Sequence, residues 1–478
     1  MKSFKNAAAT TALLAVLTPL AAQSDVVIST DPTQNMSCNI NACAPTQADA
    51  VLNVTDLNNM LATGDVTIFT AFSIKKHRRD AYNIDLDSPL SLSSTSNLTL
   101  HPYYAVNVNA PVTIVTTGAL TLNGYIGLAN INASIEIQSA GTLDLGEIPT
   151  LAPNASVTFD DLNGHLTIGL PYTLVADVPA LVADIAAGQG KGNFALIHNY
   201  DAANDTFQKA PIPDFKGIFT GLGHTIANLK IKKGFASCEG FVSKNEGTLR
   251  DISLQGVNVT STTQKNIGAL VGCNYGNISN ASVDGTISGN NSANVGGIVG
   301  SNTPSGGISI ARAAVIVSGG QAGGVVGEND NSVYEAYATG SVTGNSNSGG
   351  LVGANKLYVQ ESYATSSVNG NSGAAGGLAG FNSAKIVDCY STGTVNGTGY
   401  VGGFVGYDPN ESISNGYWDL DTSGVEQGVG FPANDPSAIG LTTAQLQSRL
   451  PSGFDKRYWA LDSNINNGFP YLRYLPPQ

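Results

Sequence analysis

The stretch Gly324-Val-Val-Gly-Glu-Asn329 returns one repeat later as Gly350-Leu-Val-Gly-Ala-Asn355, and related stretches occur along more than a third of the chain. The central apolar residues of the seven copies are Phe241, Leu270, Ile298, Val325, Leu351, Leu378 and Phe404. Subtracting neighbouring numbers gives intervals of 29, 28, 27, 26, 27 and 26. Self-similarity at so steady a period indicates a repeat architecture rather than a set of unrelated domains.

Each copy also carries a polar residue four positions after its central apolar residue. These polar residues are Asn245, Asn274, Asn302, Asn329, Asn355 and Asn382, with Asp408 in the seventh copy. Amides at one place in every repeat predict a ladder of side chains that bond to each other along the stack. A second segment follows, as in Ala336-Tyr-Ala-Thr-Gly-Ser-Val-Thr-Gly344, whose period of two and β-branched residues predict a strand.

Units of this length, with short strands and no helical period, cannot bury an apolar face alone, but stacked units can cover one another. The sequence therefore predicts an all-β fold, a right-handed parallel β-helix with a rise of ~4.8 Å for each rung. The 56 glycines, against 22 basic and 35 acidic residues, suit a fold with frequent tight turns. The stretch Leu181 to Ala187, with Leu196, Ile197 and Tyr200 following, indicates one short helix between two solenoid sections.

These patterns divide the chain into five parts. They are a signal peptide (1–22), an N-terminal β-helical section (23–170), a connecting segment with an entry rung (171–239), the repeat solenoid (240–412) and a closing segment (413–478). Lys2 and Lys5, the apolar run Ala7 to Leu20 and the small residues after it are typical of a secretory signal. That run is too short to span a bilayer and no later stretch approaches ~20 apolar residues, so we expect a mature chain that is soluble or held by a partner.

The net charge argues against two classes of partner, and the positions of the cysteines indicate how each is expected to be used. A net charge of −13, thinly spread, argues against nucleic acid and against docking on anionic lipid. Cys38 and Cys43 are close enough to close a small loop, and the sequence leaves open whether they do. Cys238, Cys273 and Cys389 are scattered and are expected to be buried, unpaired thiols.

The repeated anchors resemble the GLUG motif, Gly-Gly-Leu-Val-Gly-x-Asn, of large bacterial surface proteins. Residues 171–412 resemble the filamentous-haemagglutinin-like setting of that motif, and residues 51–124, which include Asn53-Val-Thr-Asp-Leu-Asn58, resemble the β-helical body of such haemagglutinins. The end, with Trp459-Ala-Leu-Asp462, is similar to the family's terminal segment. The resemblance implies an extracellular β-helix that acts in adhesion or aggregation with an outer-membrane secretion partner. The Asn-Pro-Asn-type secretion signature of two-partner-secreted haemagglutinins is not found, which leaves the export route open.

One column of the repeat is aromatic, with Tyr337, Tyr363, Tyr390 and Tyr417 at the period of the anchors. Earlier rungs place Ser282 and Arg312 in the same column, and an Arg in a dry interior would be costly, so the column is expected to be partly exposed. The four tyrosines either stack on each other and fix the register, or form a ligand-binding face for sugar rings or a partner's side chains.

Two other segments also have two interpretations. The basic run Lys75-Lys-His-Arg-Arg79 is either a solvated loop or a binding site for anionic polysaccharide. Asp419-Leu-Asp-Thr-Ser-Gly424 imitates the start of a calcium loop, but its twelfth position is Gly430 instead of a bidentate Glu. We therefore interpret it as the turn that closes the array and expect no metal.

Polysaccharide-cleaving enzymes on such a scaffold need clustered carboxylates, a base or calcium ligands on one face. The acidic residues are expected to fall in different columns; they are Glu246, Asp284, Glu335, Glu361 and Asp388. The basic residues are equally dispersed; they are Lys244, Lys265, Arg312, Lys356 and Lys385. The five histidines share no motif, so no catalytic residue and no cofactor is predicted.

The sequence thus favours a secreted or cell-surface adhesin or matrix protein of bacterial type. It would present a repetitive β-helical face to a host or neighbouring cell, with carbohydrate as one ligand class. The alternative is a polysaccharide lyase or hydrolase on the same scaffold, and a third interpretation is a passive stalk that displays another protein.

Overall fold

The computed structural model describes residues 25–39, 41–70, 82–123, 128–146, 149–152, 155–232, 237–263, 265–433 and 435–477. These residues form a parallel β-solenoid of about 15 turns, which confirms the predicted all-β parallel β-helix. The handedness of the coil stays a prediction. The predicted signal peptide and the basic run Lys75–Arg79 lie outside the described residues. Within those ranges, none of the helices combines the length and the apolar character required to cross a membrane.

Three parallel sheets form the N-terminal section. The first contains Val26–Ser29, Ala50–Asn53, Ile84–Leu86, Ala105–Val108, Leu128–Ile131 and Thr150–Leu151. The second contains Leu90–Leu92, Val112–Ile114, Ile135–Ile137 and Val157–Phe159. The third contains Ala42–Pro45, Val66–Phe69, Leu98–His101, Ala119–Leu122, Thr142–Leu145 and His165–Ile168, with Met36–Cys38 antiparallel to the first of these strands. Alternate residues point inward, so that Leu100, Leu122 and Leu145 stack in the core.

The chain reverses direction briefly between the two sections. His165–Ile168 pairs antiparallel with Leu170–Val175 around Gly169, whose φ of +64° suits a residue without a side chain. The buried guanidinium of Arg250 also ties the sections together, since it donates to the carbonyl oxygen of Pro149 at 2.6 Å and pairs with Asp251.

Three sheets again surround the core of the second section. We call the first the amide sheet; it contains Ile212–Phe215, Val242–Asn245, Val271–Asn274, Val299–Asn302, Val326–Asn329, Val352–Asn355, Ala379–Asn382, Val405–Tyr407 and Val429–Phe431. We call the second the short-strand sheet; it contains Cys238–Glu239, Asn266–Gly268, Asn294–Gly296, Gln321–Gly323, Ser348–Gly349, Ala375–Gly376 and Val401–Gly402.

The third sheet of this section, the long-strand sheet, carries the predicted second strand of each repeat. It contains Asn193–Leu196, Tyr200–Asp201, Ile218–Thr220, Thr225–Ala227, Lys230–Lys232, Thr248–Thr260, Asn277–Ser288, Gly307–Gly319, Ser332–Gly344, Tyr358–Gln360, Tyr363–Ala364, Ser367–Gly370, Lys385–Ser391, Val395–Gly397, Ile413–Asp419 and Ala438–Leu441. After it, Trp459–Ala460 and Tyr471–Leu472 form a small antiparallel pair, with a 3₁₀ turn at Asn466–Gly468.

The repeated anchors fill the core between these sheets. The seven central apolar residues, Phe241 to Phe404, are each 0% exposed, and each buried side chain of this size contributes about 1.5–3 kcal/mol to stability. A glycine precedes six of the seven, the exception being Ala269 before Leu270, and the rungs approach closely at this position. A Cβ atom at Gly324 would lie 2.2 Å from the carbonyl oxygen of Gly350 in the next rung.

The predicted amide ladder is confirmed. All six asparagines are fully buried, and the side-chain N–H of each from Asn245 to Asn355 donates to the amide oxygen of the next rung at 2.8–2.9 Å. Asn382 donates in turn to the carboxylate of Asp408. A buried amide without these partners would cost free energy, so the ladder holds the rungs in one register.

Three α-helices occur in the described chain: α1 (Val54–Leu61), α2 (Val178–Ala187) and α3 (Thr443–Ser448). The helix predicted between the two sections is confirmed as α2, while α1 and α3 were not predicted from the sequence. Asn53 caps α1 by accepting from the N–H groups of Thr55 and Asp56, and Thr442 with Gln445 forms a capping box on α3. Both α1 and α3 are too short to show a clear helical period in the sequence. Their capping residues were the remaining sequence signal for a helix.

Two disulfides connect four of the five cysteines. Cys38 pairs with Cys43 in the small hairpin, and Cys238 pairs with Cys273 across 35 residues. The expectation that Cys238 and Cys273 are unpaired thiols is therefore wrong. The two residues belong to neighbouring rungs, one on the short-strand sheet and the other on the amide sheet. Stacking of the rungs brings them together, and their spacing in the sequence did not predict this contact. Cys389 is buried and free, as expected.

We predict that Asn329→Ala destabilises the solenoid. The change leaves the N–H of Asn302 and the amide oxygen of Asn355 without their ladder partner, and each orphaned group costs about 1–3 kcal/mol. Thermal unfolding followed by circular dichroism should show a clearly lower midpoint. Asn371→Ala is the matched control because Asn371 is exposed, and an equal loss in both variants would contradict a role for the ladder.

The disulfide assignment predicts that the purified, unreduced chain presents a single thiol. Thiol titration under denaturing conditions should find one reactive group, from Cys389, because the other four cysteines are paired. The same titration without denaturant should find none, because Cys389 is 0% exposed. Three or more thiols in the denatured, unreduced chain would show that one of the two bridges is absent.

Candidate functional site

Three rings of the predicted tyrosine column form an aromatic stack, and the fourth, Tyr417, packs edge-on against Phe454. Tyr337, Tyr363, Tyr390 and Tyr417 are directly paired from rung to rung. The ring centroids of Tyr337 and Tyr363 are 4.9 Å apart with an interplanar angle of 11°, and those of Tyr363 and Tyr390 are 4.9 Å apart at 5°. The interpretation in which the tyrosines stack on each other is therefore confirmed for Tyr337, Tyr363 and Tyr390.

The chain's C-terminal residues cover this stack. We call residues 442–475 the strap, which runs back along the long-strand sheet. Trp459 lies 5.8 Å from the ring of Tyr390, and the hydroxyl of Tyr390 donates to the carbonyl oxygen of Pro470 at 2.6 Å. The hydroxyl of Tyr417 donates to the carbonyl oxygen of Ser452 at 2.8 Å. Polar and apolar contacts together hold the strap on the column.

The expectation that the tyrosine column is partly exposed is wrong. Tyr363 and Tyr390 are 0% exposed, and Tyr337 and Tyr417 are buried as well. In the described structure no tyrosine of the column offers an open ring face to a ligand. The inference from Arg312 failed because that residue is half-buried and has partners: its Nε donates to Ser282 at 2.8 Å and it bonds to the hydroxyl of Tyr337.

Beside the tyrosines, three carboxylates share a second column. Glu335, Glu361 and Asp388 each stand two residues before a stacked tyrosine, so the expectation that these acids fall in different columns is wrong for them. Each adopts a positive φ, between 47° and 54°, where the long strand bends. The signal was present in the sequence, since each of the three lies six positions after a ladder asparagine.

Burial controls the ionisation of this column. It raises the pKa of Glu361 from 4.5 to about 7, against the hydrogen bond that the indole N–H of Trp459 donates to its carboxylate. Burial also raises the pKa of Glu335 and of Asp388, whose carboxylate accepts from Asn415 at 2.7 Å. Raised carboxyl pKa values occur in catalytic sites, but here the strap lies over the acids and Trp459 already occupies the position that faces Glu361.

The calcium-like segment has a structural role. Asp419 accepts from the hydroxyl of Thr443 at 2.8 Å, and Asp421 accepts from the backbone N–H of Thr443 at 2.9 Å. These bonds anchor the first turn of α3, which agrees with its interpretation as the turn that closes the array. Among the described residues, no group of three or more His, Cys, Asp or Glu side chains is placed to hold a metal ion.

Sequence reasoning missed a second aromatic column, on the outer surface of the amide sheet. Phe381, Tyr407 and Phe431 occupy the same place in consecutive rungs, and Tyr400 leans against the last two rings. Phe431 is 40% exposed and Tyr400 is 48% exposed. The sequence did contain a signal for this column, since Phe381 and Tyr407 each come directly before the ladder residue of their rung.

The fold and its columns define a class, the parallel β-solenoid built from a short and regular repeat, and comparison with known proteins identifies the repeat. The family model described as the GLUG motif matches residues 263–288 and 371–396. This agrees with the resemblance noted in the sequence: two stretches of this β-solenoid match the GLUG motif. The wider haemagglutinin-like setting stays a prediction.

One relative and one solved structure are also similar. A stretch of 146 residues, 30% of this chain, is 32% identical to halomucin of Haloquadratum walsbyi (strain DSM 16790 / HBSQ001) and spans 1% of that protein's length. A Bacteroides ovatus structure, provisionally described as an immunoglobulin A1 protease, covers 64% of this chain and 93% of its own, at 16% identity and a TM-score of 0.38. Similarity at that level carries no argument about activity.

We predict that the strap loosens as the pH rises from about 4.5 to about 7. The pKa of Glu361 is higher in the folded chain than its ordinary value, so its contribution to stability is complete below that value and is lost as the pH rises through about 7. Fluorescence of Trp459, in a Trp418→Phe background, should report a lower thermal midpoint at the higher pH.

Glu361→Gln should flatten this pH dependence, because the amide stays neutral. The matched control is Glu239→Gln, since burial also raises the pKa of Glu239 to about 7 but that residue lies on the short-strand sheet, away from the strap. The control should leave the pH response of Trp459 unchanged. An unaltered response in Glu361→Gln would refute the assignment.

Proposed function

We propose that this protein is an exported surface protein that uses its solenoid as an attachment or matrix-forming rod. The observation that carries the proposal is the column architecture itself. About 15 turns at ~4.8 Å each give a rod of roughly 70 Å on which each surface position recurs rung after rung. A repetitive face of this kind suits many weak, equivalent contacts with an extended partner.

The cysteines support an export destination. Disulfides persist mainly in oxidising compartments outside the cytoplasm, and two bridges here pair four of five cysteines. The GLUG repeats and the halomucin similarity support the same assignment, as does the haemagglutinin resemblance. The partners we propose are a host or neighbouring cell surface, with carbohydrate as the ligand class, and an outer-membrane protein for secretion.

The proposal includes that the protein is not an enzyme. Its support is that the one described cluster of acids with raised pKa values, Glu335, Glu361 and Asp388, lies beneath the strap. The same cluster is the specific observation that favours the second candidate, a polysaccharide lyase or hydrolase. For that function the strap would have to leave the acids open to a substrate.

Attachment is tested with beads that carry the purified full chain. We expect saturable retention on bacterial cell layers, reduced by excess soluble chain, because a repetitive rod makes several contacts at once. Beads that carry an unrelated β-solenoid of similar net charge are the control. Retention equal to that control would contradict the adhesive role and favour a passive stalk.

Catalysis is tested by incubating the chain with a panel of neutral and acidic polysaccharides and measuring new reducing ends. We expect none to appear. Release of reducing ends that Glu361→Gln abolishes, while Glu239→Gln does not, would establish the enzymatic alternative.

A further inference from the structure

Two depressions lie in one line along the rod where the short-strand sheet meets the amide sheet, and we call this line the groove. The outward residues on one side of it, in rung order, are Asn266, Asn294, Gln321, Asn347, Ala374 and Tyr400. The residues at the matching positions on the other side are Cys273, Ser301, Glu328, Ala354, Phe381, Tyr407 and Phe431. Of the residues on both sides, Cys273, Ser301, Ala354 and Ala374 are buried by their neighbours. The two depressions have volumes of about 500 Å³ beside Asn294 and about 350 Å³ beside Tyr400.

The first part of the groove is an amide ladder at the surface. Asn294 donates to Asn266 at 3.0 Å, Gln321 donates to Asn294 at 3.2 Å and Asn347 donates to Gln321 at 3.0 Å. These four side chains are half-buried, unlike the ladder in the core. A primary amide has two N–H hydrogens and an oxygen with two lone pairs, so an amide fixed by its neighbours can also bond to hydroxyl groups of a ligand.

The second part of the groove is the outer aromatic column. The ring centroids of Phe381 and Tyr407 are 5.7 Å apart at 11°, and those of Tyr407 and Phe431 are 5.0 Å apart at 9°. Tyr400, from the other side, lies 5.3 Å from both Tyr407 and Phe431. Unlike the column beneath the strap, these rings are not covered by any described residue to the same degree, since Tyr400 and Phe431 stay about half exposed.

The two ends of the groove differ in the charged residues that line them, and this difference favours one class of ligand. The depression at the aromatic end is lined by Asn347, Ser372, Tyr400 and neighbouring small residues, with no charged side chain among the described residues. The depression at the other end is lined by two charged residues, Lys265 and Glu328, and the carboxylate of Glu328 is already engaged by Asn294 and Lys356. An anionic ligand would find no cation in the aromatic depression, and a cationic ligand would find no carboxylate there.

A sugar ring has an apolar C–H face and a rim of hydroxyl groups. The C–H face matches the exposed ring of Tyr400 and the outer edges of the stacked rings, and the hydroxyl rim matches the amides and serine hydroxyls. The distance from the rung of Asn266 to the rung of Tyr400 is five steps of ~4.8 Å, roughly 24 Å, which accommodates several rings in a row. We propose that this groove binds a linear, uncharged polysaccharide lengthwise, with sugar rings on the aromatic column and hydroxyl groups on the amide ladder. The inference deepens the proposed attachment function and depends on it for its biological meaning.

The test compares the full chain with Tyr400→Ala/Tyr407→Ala on an array of neutral and anionic linear hexasaccharides, followed by titration calorimetry of the members bound. We expect at least one neutral member to bind, no anionic member to bind as tightly, and the double variant to weaken binding by about tenfold or more. The matched control is Tyr104→Ala/Tyr275→Ala, because Tyr104 and Tyr275 are 47% and 42% exposed and lie outside the groove. It should bind like the parent chain.

Three outcomes would overturn the groove assignment. They are no neutral binder on the array, equal loss in the control, or loss in the double variant of self-association measured by sedimentation, which would make the column a contact between copies. If Tyr400→Ala/Tyr407→Ala lowers the unfolding midpoint, the half-exposed single variant Tyr400→Ala replaces it. The bead assay separates the two proposals, since retention by a chain that binds no neutral glycan would leave attachment standing and refute only the groove.

Discussion

Parallel pairing of each rung with the rungs above and below is the constraint on which this structure depends. The backbone hydrogen bonds alone would allow the rungs to slip, and a slip of one residue would turn every inward side chain outward. The buried ladder from Asn245 to Asp408 prevents this, because each amide is satisfied only when the same residue of the next rung lies directly above it. The anchors Phe241 to Phe404 then stack in the core as a consequence of that register.

In-register stacking also decides what the surface and the interior can contain. It turns a single tyrosine position into a stack, and it places Glu335, Glu361 and Asp388 in one line, where like charges would repel each other. The fold accommodates the acids by burial, which favours their neutral form, and by the strap with Trp459. On the amide sheet and the short-strand sheet, the same rule produces a row of polar amides and a row of rings from positions that look ordinary within one repeat.

The features that depend on contacts between adjacent repeats could be predicted from the sequence. The features that depend on contacts with a non-repetitive segment, or between different sheets, could not. The repeat period, the strands and the asparagine ladder depend on residues in adjacent rungs. The spacing of residues in the sequence therefore predicts them. The strap covers Tyr363 from a distant, non-repetitive part of the chain, so burial of the tyrosines was not visible. The Cys238–Cys273 bridge and the surface groove arise where two sheets meet, and a pattern along one strand does not show which columns face each other.

The direction of the core ladder has a consequence for how such arrays change in length. Every internal asparagine both accepts from one side and donates to the other, so any internal rung can be duplicated or deleted without leaving a mismatched neighbour. Asp408, whose side chain has no N–H group to donate to a further rung, ends the series and also accepts from Ser412. Growth by duplication is thus directed to the interior of the array, while both ends keep their own caps.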